Sequence, residues 1–155
     1  MAKHYSALLN VYVDQHLLLK GKELVKRMSD NGCAIEPHTW DALIRLHVNA
    51  SELEKADSIL LKACNQRQLR PKYWTMATIL EKYAERGDVA NAEKIFDRMR
   101  QVGYTSSGGA FVSLLKSYVK ARVPAYGIRE RMKADKIDLN GRLNHLLQQM
   151  ETYST

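Results

Sequence analysis

The chain has 155 residues, about one domain's length, with 45% hydrophobic and 26% charged residues but only eight Gly and three Pro, so it reads as globular and soluble. Its 24 Lys and Arg against 17 Asp and Glu leave a net charge of +7, which favours an anionic partner such as nucleic acid over an acidic substrate pocket. Cys33 and Cys64 form no CxxC pair and have no histidine at zinc spacing, which excludes a disulfide framework and a structural zinc site; reduced, buried thiols are expected.

No apolar run is long enough to span a membrane; Leu17-Leu18-Leu19 is bracketed by His16 and Lys20. Met1-Ala2-Lys3 runs straight into a patterned segment, so no signal peptide is expected.

Along the chain the first apolar stripe is Leu8, Leu9 and Tyr12, with the i, i+1, i+4 spacing of an amphipathic helix. A second follows at Leu24, Val25 and Met28, and Asn31-Gly32 then signals a turn. The pair recurs as Leu43, Ile44, His47 with Ile59, Leu60, Ala63, and again as Ile79, Leu80, Tyr83 with Ile95, Phe96, Met99, Gly87-Asp88 lying between the latter two. A fourth first helix carries Leu114, Leu115 and Tyr118.

Three columns share one period. Tyr12, His47, Tyr83 and Tyr118 are separated by 35, 36 and 35 residues; Gly21, Ala56 and Ala92, and behind them Met28, Ala63 and Met99, keep the step. In the fourth unit Ala125, Ile128 and Met132 reproduce the spacing of Ala92, Ile95 and Met99, which implies a two-residue deletion between its helices. Pro37, Pro71 and Pro124 fall where a helix begins or a connection runs. One such hairpin cannot bury its apolar face alone, whereas stacked neighbours share a continuous core. The fold expected is all-α: an α-solenoid of about four 35-residue hairpins, framed at 2–36, 37–72, 73–107 and 108–140, with 141–155 as a partial repeat or capping helix.

Thr39-Trp40 and Thr75-Met76 opening first helices, the mid-helix Tyr, Gly87-Asp88, and the segments Ala92 to Met99 and Met132 to Ile137 together resemble the pentatricopeptide-repeat family, in its plain form from plant organelles. The resemblance covers nearly the whole chain. It implies single-stranded RNA bound along the first-helix face, one base per repeat. The base is then specified by the fifth and last residues of a repeat: Thr or Ser with Asn for adenine, with Asp for guanine, and Asn with Asp for uracil. Carried over, the pairs are Ser6 with Glu36, Asp41 with Lys72, Ala77 with Ser107, and Val112 with Asn140, none of them a strong code pair. The second positions, usually aliphatic, are Lys3, His38, Trp74 and Gly109, of which Trp74 is a candidate for base stacking or for packing on the preceding repeat.

The charge surplus sits at the C-terminal end: the units carry +1, +2, 0 and, from residue 108, +4. Lys116, Lys120, Arg122, Arg129, Arg131, Lys133 and Lys136 form a candidate basic patch for phosphate contact with structured RNA, the alternative being a solvated face. Catalytic readings lack residues: no phosphate-binding glycine loop, nucleophile elbow or deaminase zinc motif is present, and His4, His16, His38, His47 and His145 are scattered. No catalytic residue, metal, cofactor, membrane or small-molecule substrate is expected.

Weak code pairs with outward basic charge point first to a non-enzymatic structural component of a plant mitochondrial ribosome, contacting ribosomal RNA and neighbouring proteins. A transcript-specific factor reading mRNA for processing, stability or editing support is the second reading. A protein scaffold without RNA contact is the third. By resemblance the mitochondrion is favoured over the plastid.

Overall fold

Two apolar stripes per period, separated by short polar turns, become two helices per period. The computed structural model describes residues 2–33, 36–65, 70–104 and 107–154, with side chains described from Tyr5 onward. Its elements are α1 (Ala2–Asp14), α2 (Leu18–Asp30), α3 (Pro37–Asn49), α4 (Leu53–Cys64), α5 (Tyr73–Arg86), α6 (Val89–Gln101), α7 (Gly108–Ala121), α8 (Ile128–Ala134), α9 (Gly141–Glu151) and a terminal 3-10 turn, Thr152–Ser154. No strand occurs among the described residues.

The sequence columns mark how each helix stops. The first helices end in left-handed residues at His16 (φ 56°), Ser51 (60°), Gly87 (67°) and Arg122 (57°), at the same 35- and 36-residue steps. In every case the next amide donates back to the carbonyl of the periodic Tyr or His: Leu17 to Tyr12, Glu52 to His47, Asp88 to Tyr83 and Val123 to Tyr118. This six-to-one bond satisfies carbonyls that a helix end would otherwise orphan. Second helices stop the same way, with Cys33, Tyr104 and Ile137 donating to the carbonyls of Met28, Met99 and Met132.

The chain divides into two units, residues 1–79 and 80–155. In the first, α1 packs on α2 and α3, and α3 on α4. Leu9, Val13, Leu24, Ala42 and Leu46 are buried together, with Tyr5, Tyr12, Leu18 and Val25 around them. Gly21 lets α2 approach α3, for a Cβ there would lie 2.3 Å from Leu46 Cδ1. In the second unit α7 packs on α6 and α9. Phe96 meets Phe111 edge to face, ring centroids 4.9 Å apart.

The shortened fourth hairpin loses nearly two turns of helix, α8 having 7 residues against 13 in α6, rather than a piece of core. After Arg122 the chain runs through Val123 to Gly127 without helix, and α8 has seven residues. Ala125, Ile128 and Met132 are nevertheless buried like their counterparts in α6. The Ala125 amide donates to Met150 Sδ at 2.9 Å. Neither Cys33 nor Cys64 is in a disulfide, and both are half-buried, not buried as expected, because both sit at helix ends.

Candidate nucleic-acid interface

The positions that the resemblance assigns to base reading lie at the starts of the first helices, where a short polar residue has two competing uses. It can face a ligand, or it can satisfy the free amides of its own first turn. Ser107 and Asn140 take the second use: Ser107 Oγ accepts from the Ala110 amide at 3.2 Å and Asn140 Oδ1 from the Leu143 amide at 2.9 Å. Both are N-caps, of α7 and α9. Ser or Asn immediately before a periodic apolar run was the signal for this in the sequence.

Asp41 is withdrawn from the surface altogether. It is 3% exposed, and its Oδ1 accepts from Thr75 Oγ1 at 2.7 Å and from the Lys72 amide at 3.5 Å. The carboxylate thus sits at the amino end of α5, where helix amides and dipole favour negative charge. Asp41, carried over as a base-reading position, has its polar partners in the protein. Lys72 remains exposed, with its backbone rather than its side chain in this contact. Ala77 and Val112 are half-buried and apolar.

The first repeat differs. Ser6 Oγ lies 2.7 Å from His38 Nε2, and His38 Nδ1 lies 3.4 Å from Glu36 Oε2. The fifth and last residues of one repeat and the second residue of the next form one chain of polar contacts, with His38 and Glu36 about half exposed. Trp74 is 77% exposed and touches Tyr73 edge-on, centroids 5.3 Å apart, so it is not packed away against a preceding repeat. The side chain of Lys3 lies outside the described residues.

The seven cations of the C-terminal cluster have different surroundings. Lys116 and Lys120 line a cleft of about 370 Å³ with Glu81, Glu85, Ala84, Val119 and Leu146, so two carboxylates offset two ammonium groups there. Arg129 and Lys133 line a different cleft of about 260 Å³ with Met132, Ile137 and Leu139. Arg122 is the exposed left-handed cap of α7, and Lys136 occupies the left-handed position after α8.

Two of the seven are also engaged within the protein. Arg131 donates to Glu93 at 2.9 Å and lies over the Phe96 ring, 5.3 Å from its centroid. Glu93 also adjoins Tyr118, whose phenol is pushed above its ordinary value mainly by burial and then by this carboxylate. Arg129 pairs with Glu151, whose carboxyl is held below the usual range by that hydrogen bond. Partners 38 and 22 residues away in sequence gave no local signal.

In the first unit, His47 is buried and its Nδ1 contacts Glu52 Oε2 at 2.9 Å. The bond holds the Glu52 carboxyl below its ordinary value. Among the described residues no group of His, Cys, Asp and Glu could hold a metal ion, and no helix is long and apolar enough to cross a membrane.

The family description "Pentacotripeptide-repeat region of PRORP" matches residues 1–126. The chain belongs to the pentatricopeptide-repeat family. A mitochondrial pentatricopeptide repeat-containing protein of Arabidopsis thaliana is 52% identical over 90% of this chain and 23% of its own length. A second from the same plant, also named mitochondrial, is 42% identical over 96% of this chain and 24% of its own. The chain is accordingly placed with mitochondrial pentatricopeptide-repeat proteins, and it spans about a quarter of the curated relatives it matches. More distantly, the Arabidopsis large ribosomal subunit protein mL101 is 19% identical over 94% of this chain and 30% of its own.

The crystal structure of the pentatricopeptide repeat protein PPR10 from maize superposes with a TM-score of 0.76 at 15% identity, covering 97% of this chain and 25% of that one. PPR10 in complex with an 18-nt psaJ RNA element gives 0.66 at 16%, covering 95% and 22%. The fold is therefore the all-α pentatricopeptide solenoid.

Proposed function

We propose that this chain is a non-enzymatic RNA-binding segment of a mitochondrial pentatricopeptide-repeat protein, framed in repeats at 2–36, 37–72, 73–107 and 108–140. It holds RNA mainly through backbone phosphates, with base reading restricted to a minority of repeats. The observation that carries this is the use of the reading positions by the protein itself: Asp41 braces α5, Ser107 and Asn140 cap helices, and Ala77 and Val112 have no polar group to offer. The net charge of +7 supports affinity without a base code. Support for RNA as the ligand class comes from PPR10, whose structure was solved with an RNA element.

Binding of randomised single-stranded RNA at several salt concentrations tests the reading. Affinity that falls steeply with salt and shows little preference at most positions is expected; affinity insensitive to salt, or no RNA binding, removes it.

Within this class we infer a structural place in the mitochondrial ribosome, contacting ribosomal RNA and proteins. What supports it is the likeness to mL101, named as a large ribosomal subunit protein, together with the weak code positions. Co-sedimentation of the native protein with a ribosomal subunit after a high-salt wash is the expected result. Protein that stays at the top of the gradient while still binding one transcript points to the mRNA reading instead.

A further inference from the structure

Three sequence columns line up from repeat to repeat: the residue after the small-residue column of a second helix, the periodic Tyr or His of the next first helix, and the residue before the Met column of the next second helix. Toward the C-terminus these are Glu93, Tyr118 and Arg131, and both Glu93 oxygens accept from Arg131 Nη1, at 2.9 and 3.2 Å. One repeat earlier the sequence has the same acid and base, Asp57 and Arg98, with Tyr83. The first such set breaks the pattern: Lys22, His47 and Lys62 fill the three positions, so an ammonium group stands where the carboxylate is elsewhere. Lys22 of α2 and Lys62 of α4 line one cleft of about 370 Å³, together with His47, Glu54, Lys55 and Ser58. Lys22, Lys55, Ser58 and Lys62 are exposed, and Ser58 and Lys62, four residues apart, share a face of α4. Glu54 is the lining carboxylate, while Glu52 is engaged by His47 at 2.9 Å and Lys55 at 3.6 Å. Three ammonium groups therefore border this cleft, two of them at positions that hold an acid and a base in the later repeats.

We propose that this cleft between second helices is a phosphate site, which takes a backbone phosphodiester of RNA through Lys22, Lys62 and the Ser58 hydroxyl without regard to base. Like charges brought to one cleft repel, and an anion between them turns the repulsion into attraction. The donor set selects the anion. Two ammonium groups and a hydroxyl are separate point donors that converge on a tetrahedral oxyanion, whereas the planar fork of an arginine matches a carboxylate, as Arg131 does with Glu93. The net charge of +7 favours the polyanion over an isolated acidic side chain. The inference rests on the RNA-binding reading and deepens it, giving backbone contact a location that base reading along the first helices does not use.

The test measures binding of mixed-sequence single-stranded RNA to the whole chain at several salt concentrations, beside binding of a polyglutamate peptide. Lys22→Gln and Lys62→Gln each remove one phosphate contact. Each should weaken RNA binding about 5-fold at about 0.1 M salt, equally for all sequences, and lower the slope of log affinity against log salt by about 0.7. Lys22→Glu recreates the acid and base of the later repeats and so withdraws both lysines, with an expected loss of about 25-fold and about twice the change in slope. Lys94→Glu makes the same change of charge at an exposed position of α6 and should stay within about 3-fold, its slope unaltered. An unaltered slope in both glutamine variants overturns the proposal. So does a Lys94→Glu protein that loses as much as Lys22→Glu, since overall charge and not the cleft would then govern binding. Retained RNA binding with lost polyglutamate binding in the Lys22 and Lys62 variants assigns the cleft to an acidic protein segment and overturns the proposal equally. Absence of RNA binding by the unsubstituted protein instead sinks the underlying functional reading. Thermal unfolding of each variant separates misfolding from lost contact, and the two glutamine variants decide the matter if Lys22→Glu does not fold.

Discussion

Asp41 and Thr75 join the first helices of adjacent repeats through a buried hydrogen bond of 2.7 Å, with the carboxylate seated over the opening turn of α5. The contact does two things at once: it satisfies a buried hydroxyl and it neutralises part of a helix terminus. Asp41→Ala should therefore destabilise the protein by about 1–3 kcal/mol, the range for stranding a buried polar partner. Asp41→Asn keeps an oxygen for Thr75 and loses the charge, so it should fall between. Denaturant midpoints of the two variants check this, and an Asp41→Ala protein as stable as its parent would remove the brace from the argument.

The turn column makes a sharper comparison, because one position is filled by Gly87 in one repeat and by Ser51 in another. An L-residue in the left-handed region costs roughly 1–2 kcal/mol, whereas glycine adds up to about 1 kcal/mol of chain entropy in the unfolded state. Ser51→Gly should then be neutral to about 1 kcal/mol stabilising. Gly87→Ala should be clearly destabilising, by more than about 1 kcal/mol: besides the backbone strain, its Cβ would lie 3.2 Å from the Ala121 amide nitrogen, which cannot move aside as a side chain would. Melting temperatures shifting the same way for both variants would contradict the account.

Close helix approach is tested at Ala92, which is fully buried. Ala92→Leu adds volume with no cavity to receive it and should cost about 1–3 kcal/mol. Gly21→Ala sets two effects against each other: a gain of up to about 1 kcal/mol in helix propensity, and a Cβ placed 2.3 Å from Leu46 Cδ1. Because the obstructing atom ends a rotatable side chain, the overlap is relieved in part, and the net change should be smaller than for Ala92→Leu. Equal losses in the two variants would show that Leu46 cannot move.

What was legible in the sequence follows the same division. The Tyr12, His47, Tyr83 and Tyr118 column, and Met28, Met99 and Met132 behind it, could be read because each is buried or half-buried and accepts a helix-ending bond, two constraints with one period. His16, Ser51 and Arg122 could not be read as left-handed turns, since their side chains carry no signature for that conformation; Gly87 alone announced it. The hairpins themselves are local and were visible. The assignment of Arg131 to Glu93 and of Asp41 to Thr75 depends on which residues stacking brings together, and no spacing rule within one helix encodes it.

Acid stability should depend on Glu52. Its folded-state pKa is lowered from an ordinary value of 4.5, first by the hydrogen bond from His47, so its contribution is present above pH 4.5 and disappears as the pH falls through the lower folded-state value. Glu52→Gln removes the titrating group. Parent and variant should differ in unfolding midpoint near neutrality and converge below pH 4.5. A difference that grows on acidification would reverse the sign and refute the assignment.

The C-terminal cations separate by what they already touch. Lys120 is exposed beside a mixed-charge cleft, and its stem covers Gly87, with Cγ 3.0 Å from where a Cβ would sit. Arg131 is held by Glu93 and the Phe96 ring. Replacing Arg131 by Ala should therefore lower stability, since it strands Glu93 and uncovers the aromatic face, an effect of about 1–2 kcal/mol given that the pair is about one-third exposed and partly screened. Lys120→Gln keeps the aliphatic stem over Gly87 and removes only the charge, so stability should be retained. If Lys120 contacts a phosphate, that substitution should weaken RNA binding uniformly across sequences and reduce the slope of log affinity against log salt by about one. Stability losses of the same size in both variants, or an unchanged salt slope for Lys120→Gln, would show that the distinction between engaged and available cations does not govern how this end of the solenoid meets RNA.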